Sequence, residues 1–96
     1  MAAEKDEIMA QTYTVQSAVY GALAGGNENN TQANIVTSTL QSLLSPGSNG
    51  VVTINNSNMG GDPSPNNVKF FGAIVTVNNG LPQAFACQEG QTIDFS

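Results

Sequence analysis

The chain has 96 residues, of which only 9% are charged; two lysines face seven acids, for a formal net charge of −5. That balance excludes a nucleic-acid surface, which needs several cations to displace phosphate counterions, and it leaves no basic patch for an anionic membrane. With no His and a single Cys, the usual near-neutral general base and the common transition-metal ligand sets are missing as well, so neither cofactor nor metal is expected.

Residues 1–10, "MAAEKDEIMA", read as a charged N-terminal arm, either flexible or forming one helical turn over 4–10. Residues 11–96 read as a single β-rich domain. The start has no basic n-region and no apolar h-region, so no signal peptide is expected. Together with the unpaired Cys87, this favours a cytoplasmic over a secreted location. No apolar run approaches the roughly 20 residues that span a bilayer, so membrane insertion is not expected.

The segment "TYTVQSAVYGAL" alternates, with Tyr13, Val15, Ser17 and Val19 on one face and Thr12, Thr14, Gln16 and Ala18 on the other. Period two with β-branched and aromatic residues predicts a strand, and Gly21 predicts a bulge or bend near its end. "AGGNENNTQ" reads as a loop. In "NIVTSTLQSLLSPG", Val36, Leu40, Leu43 and Leu44 share a helical face. Thr37 or Ser38 is placed to cap that helix, Ser38 and Gln41 have capping-box spacing, and Pro46 and Gly47 end it. So short a helix needs a sheet to lie on.

"VVTIN" predicts a strand with either Val52 and Ile54 or Val51 and Thr53 inward. The polar stretch "NNSNMGGDPSPNN" follows, Asn55 to Asn67. "VKFFGAIVTV", over 68–77, is apolar on both alternating faces, which predicts a central strand covered on both sides. "NNG" at 78–80 is a strong hairpin signal. "LPQAFACQ" supplies the return strand, with Phe85 and an inward, inert Cys87; "EGQ" turns the chain into a last short strand, "TIDF". The expected fold is mostly β with one short helix: a small β-sandwich or an open twisted antiparallel sheet.

Little of this supports catalysis. Cys87 has no His partner. Lys69 reads as a strand-end or edge charge rather than half of a Ser–Lys pair. Glu28, Asp62, Glu89 and Asp94 are the only carboxylates outside the arm, and a domain this short rarely carries the cleft that a glycosidase carboxylate pair flanks. Asp62 with Asn58, Asn66 and Asn67 offers oxygen ligands for calcium, but with one charge among them the stretch reads better as Asx and proline turns. Asn29 and Asn55 fit the glycosylation sequon, as amide-rich sequences often do by chance.

The order of short motifs, "AVYGAL" at 18–23, "IVTSTLQSLL" at 35–44, "GDPSPNNVKFF" at 61–71 and "CQEGQTIDF" at 87–95, resembles a known pattern. It is similar to the small C-terminal domain of unknown function in a mitochondrial DnaJ-type co-chaperone and in stand-alone microbial and fungal proteins. Asn34-Ile35 departs from it, standing near where that family has an acidic residue. The resemblance transfers no catalytic residue. It implies a structural or binding module, and a structural role for Asp62 and Pro63.

Two functional expectations follow. The first is a non-enzymatic, self-associating structural module. In it the uncharged strand Tyr13–Val19 is an open edge that pairs with another chain through Tyr13, Val15, Ser17 and Val19, or the arm over 1–10 contacts a neighbour. The alternative is a module binding neutral carbohydrate through Asn55, Asn56, Asn58, Asn66 and Asn67, with Tyr13 or Tyr20 as a stacking platform.

Overall fold

The computed structural model describes residues 11–26 and 28–96; the expected N-terminal arm lies outside them. The elements in order are β1 (Tyr13–Leu23), a 3-10 turn (Ala24–Gly26), β2 (Thr31–Ile35), α1 (Thr37–Leu43), β3 (Val51–Thr53), β4 (Phe70–Val77), β5 (Gln83–Gln88) and β6 (Thr92–Asp94). β2-β1-β4-β5 form an open antiparallel sheet, and β3 pairs with β6 in a two-stranded ribbon. The fold is mostly β with one short helix, as the sequence predicts.

The core lies on one face of the four-stranded sheet. Tyr13, Val15, Ala18 and Tyr20 of β1 and Phe71, Ala73 and Val75 of β4 point into it. Opposite them, Leu40 and Leu44 come from the helical segment, Val52 and Ile54 from β3 and its exit, and Met59 from the polar loop. Phe95 locks the ribbon to the sheet, with its ring 4.6 Å from Phe85 and edge-on to Phe71 at 6.5 Å.

The simple alternation expected for the first strand does not hold. The register with β4 shifts between Val15 and Ser17. The bulge consumes one residue, so every later side chain changes face. Ala18 and Tyr20 therefore turn inward, while Ser17 and Val19 turn outward. Gly21 is not the bulge. It permits close approach of β2, because a Cβ there would sit 2.3 Å from Ala33 Cα.

β1 is also not an edge. Its C-terminal half pairs with β2, from Val19↔Ile35 to Leu23↔Thr31, and its other flank pairs with β4. The expectation that Tyr13, Val15, Ser17 and Val19 form an open edge fails here, because β2 was read as loop. "TQANI" has no apolar alternation and lies almost wholly exposed; pairing, not local pattern, makes it a strand. The sheet's edges are β2 and β5.

On the N-terminal side of Val19, the start of α1 takes over the flank of β1 that β2 leaves. The Val36 N–H donates to Ala18 O at 2.9 Å, and Thr37 Oγ1 accepts the Ala18 N–H at 3.1 Å. The Gln41 amide then bridges the bulge: Oε1 accepts the Val15 N–H at 2.8 Å and Nε2 donates to Tyr13 O at 2.9 Å. Thr37 and Gln41 thus serve the strand rather than the helix end. The expected side-chain cap is absent, and Val36 holds the N-cap position without one.

β4 is central in the hydrogen-bonded ladder but covered on one side only: Phe70 is 55% exposed on the other. At the β4–β5 connection, Asn78 (φ 54°) and Asn79 (φ 61°) both take the left-handed conformation, and the Gly80 N–H reaches Val77 O at 3.0 Å. That is the tight hairpin turn the Asn-Asn-Gly sequence predicts. Two outcomes follow. Leu40→Ala, at a fully buried contact, will cost about 2–5 kcal/mol in denaturant unfolding. Gln41→Ala will cost about 1–3 kcal/mol by leaving the Val15 and Tyr13 backbone groups without partners.

Candidate functional site

The polar loop between β3 and β4 holds all five amides that the sequence offers as ligand contacts. Most of its polar groups turn towards the protein. Asn55 Oδ1 accepts the Asn58 N–H at 2.8 Å, and Asn58 Nδ2 donates to Thr53 O at 2.7 Å. Asn56 Oδ1 accepts the Tyr20 hydroxyl at 2.7 Å. Asn67 Nδ2 donates to Ser64 Oγ at 2.9 Å, and Ser64 Oγ donates to Gln32 Oε1 on β2 at 2.6 Å. Asn66 is the exposed member, with φ 68°. Met59 anchors the loop from beneath.

Beside this loop lies a buried ammonium. Lys69 is 3% exposed, not the edge charge its place before the strand suggested. Its Nζ lies 2.9 Å from Asp62 Oδ1 and 3.5 Å from Glu89 Oε1, and it donates to Ser64 O at 3.2 Å. Glu89 Oε1 also accepts the Lys69 N–H at 2.9 Å, and the Lys69 carbonyl accepts the Glu89 N–H at 2.8 Å. Nothing local announces that Asp62, Lys69 and Glu89 meet, since Glu89 stands 20 residues beyond Lys69, past β4 and β5.

The electrostatics of this cluster are those of a satisfied ion pair. The hydrogen bond from Lys69 holds the Asp62 carboxyl below the usual carboxylate range; burial opposes this and the Ser64 N–H assists it. Lys69 is raised, first by its hydrogen bond to Asp62, with burial acting against it. A general base would need a free lone pair, and a nucleophilic lysine a lowered value. Elsewhere, Asp94 is lowered first by its hydrogen bond from the Ser96 side chain. Burial raises the Cys87 thiol, and that residue is half-buried against the core. Among the described residues, no group of three or more His, Cys, Asp or Glu is placed to hold a metal ion.

Tyr13 and Tyr20, the expected stacking platforms, are core residues. Burial raises both phenols, with Asp94 adding to the effect at Tyr13 and Glu89 at Tyr20. Gly50 accommodates the Tyr13 hydroxyl, where a Cβ would lie 2.3 Å from the oxygen.

What remains is the outer face of the four-stranded sheet. The register aligns Ile35, Val19, Gly72 and Ala86 in one row, and Ala33, Gly21, Phe70 and Gln88 in the next. Ser17, Ile74 and Ala84 form a third. Ile35 is 82% exposed and Val19 49%, and Leu23 is exposed beside them. No outward position on the four strands carries a charge. Two shallow hollows indent the face. One, of about 300 Å³, lies over Gly21 between Val19, Leu23, Ala33 and Phe70. The other, of about 340 Å³, lies over Gly72 between Val19, Ile74 and Ala84. No sequence pattern had marked this face, because the bulge that turns Val19 outward leaves no clear local signature.

The ion-pair cluster fixes a pH profile. Asp62 is lower in the folded state, so its stabilisation is present above the unfolded value and is lost as pH falls through the folded one. Lys69 is raised, so its stabilisation is present below its unfolded value and is lost as pH rises through the folded one. The ion pair will therefore lower urea midpoints below about pH 4 and above about pH 10, while the raised Cys87, and then Tyr13 and Tyr20, begin the alkaline loss nearer about pH 9. In Lys69→Met the midpoint at neutral pH will drop, and the part of the acid limb due to Asp62 will flatten.

Comparison of the chain with family models, curated proteins and solved structures finds no match.

Proposed function

We propose that this chain is a non-enzymatic structural module that works by self-association. The observation that carries the reading is the distribution of its side chains. Large apolar residues without any charge among them are exposed on one sheet face, while the polar groups of the loop are spent on internal contacts. Catalysis by acid–base or nucleophilic chemistry requires the opposite arrangement, with reactive polar groups facing a cleft. An apolar patch on a small domain marks an interaction surface.

The neutral-carbohydrate reading is the less supported of the two. It needs an aromatic face in reach of solvent, and both tyrosines are buried. It draws on the loop amides, and one side-chain atom in each of Asn55, Asn56, Asn58 and Asn67 is already engaged within the protein.

Light scattering of the full chain across the micromolar range tests the proposal. The expected result is a mass above that of one chain, falling on dilution. A strict monomer throughout, joined by a hit on a neutral-glycan array that Asn66→Ala removes, would replace it with the binder.

A further inference from the structure

We infer that the outer face of the four-stranded sheet is closed by the same face of a second copy, giving a two-fold, sheet-on-sheet dimer. This rests on the reading that the chain self-associates, and adds the surface and the symmetry.

Three observations select a second copy as the occupant. The first is charge. The described residues include four acids, Glu28, Asp62, Glu89 and Asp94, against one lysine, and none lies at an outward position of the four strands. Two molecules of like charge can meet on this face without bringing carboxylates together, which few other surfaces of an acidic domain allow. An anionic lipid surface would need cations, and Lys69 is buried in its ion pairs.

The second is relief. The face carries both projections and hollows: Ile35 and Phe70 project, and the ground over Gly21 and Gly72 is low. A two-fold axis places the projections of each copy over the hollows of the other, so one patch supplies both halves of the fit. The third is area. Four strands of 5 to 11 residues, averaging about 26 Å in length and about 4.8 Å apart, give a footprint of roughly 500 Å². Corrugation by side chains brings its accessible area towards the roughly 600–800 Å² per partner of a small specific interface. Sheets pack face to face about 10 Å apart with their strands roughly aligned. The inner side of this sheet already has its covering layer in α1, the loop and the ribbon; the dimer supplies the missing one.

Sedimentation velocity on the full chain and four single variants tests the inference. Phe70→Lys, Val19→Lys and Ile35→Lys place a charge on the face, and all three side chains are exposed, so folding, followed by circular dichroism, is expected to survive. Each is expected to weaken a wild-type dimer about tenfold or more. Leu81→Lys, at an exposed apolar residue in the β4–β5 connection, is expected to leave it unchanged. Self-association that ignores all three face variants overturns the face assignment and leaves the self-association reading standing. Growth beyond a dimer overturns the two-fold closure. A monomer at every concentration overturns both, and a monomer that floats with neutral phosphatidylcholine vesicles through Phe70 and Val19 assigns the face to lipid instead.

Discussion

The structure depends on keeping one ammonium out of water. An unpaired buried lysine would cost several kcal/mol or give up its proton. Lys69 avoids both outcomes by gathering Asp62, Glu89 and the Ser64 carbonyl. The partners come from two places: Asp62 and Ser64 from the long loop, Glu89 from the turn after β5. Satisfying Lys69 therefore folds the loop back against the start of β4. Ser64 then ties that loop to β2 through Gln32, and Asn56 ties it to β1 through Tyr20. One charge thus sets the position of a long stretch that has no regular structure of its own. Pairs of this kind are weak contributors to net stability, yet breaking one is costly because the remaining charge has nowhere to go. Its service here is to specify one loop conformation.

That loop accounts for the distribution of chemistry over the molecule. Small domains have little core to spare, and this one completes its core with a methionine from the loop. The loop's amides stand in for secondary structure, pairing backbone groups that would otherwise face a partly dry interior. Polar capacity is thereby drawn to the inner side. The outer side of the sheet is left with Val, Ile, Phe, Gly, Ala and uncharged polar residues. An acidic domain with such a side fits the contact role proposed above.

How much of this was legible in the sequence depends on the range of the forces that set each part. Local signals read well. The Asn78-Asn79-Gly80 turn, the strand at Phe70–Val77 and the leucine face of α1 all rest on backbone preference or short-range period, and they stand where expected. β2 was not legible, because Thr31–Ile35 becomes a strand by pairing with β1 at the close approach that Gly21 permits. Nor was the bulge near Gln16, next to which Val15 is held by the Gln41 amide 26 residues further along the chain. With the bulge unseen, Val19 was assigned to the wrong face and the apolar patch could not be drawn. Lys69 was misread for the same reason, since nothing within a few residues announces that Glu89 will meet it. The loop amides read in the sequence as turn formers or ligand contacts, and at Asn56 the structure adds a bond to the Tyr20 hydroxyl that no local pattern announces.

The middle of the sheet has a further implication. Its central pair is β1 and β4, in which Tyr13 lies opposite Val77, so residues from near the beginning of the described chain wait for a strand that is made much later. On the ribosome, β1 can meet β2 and α1 while it is still short, and their backbone and side-chain bonds shield one flank of it. The other flank stays open until β4 emerges. Contacts of such long range close slowly, and an exposed strand flank is where nascent chains go astray. The Gln41 clamp on the bulge then has a temporal value as well as a static one: it holds β1 in the register that β4 must later join.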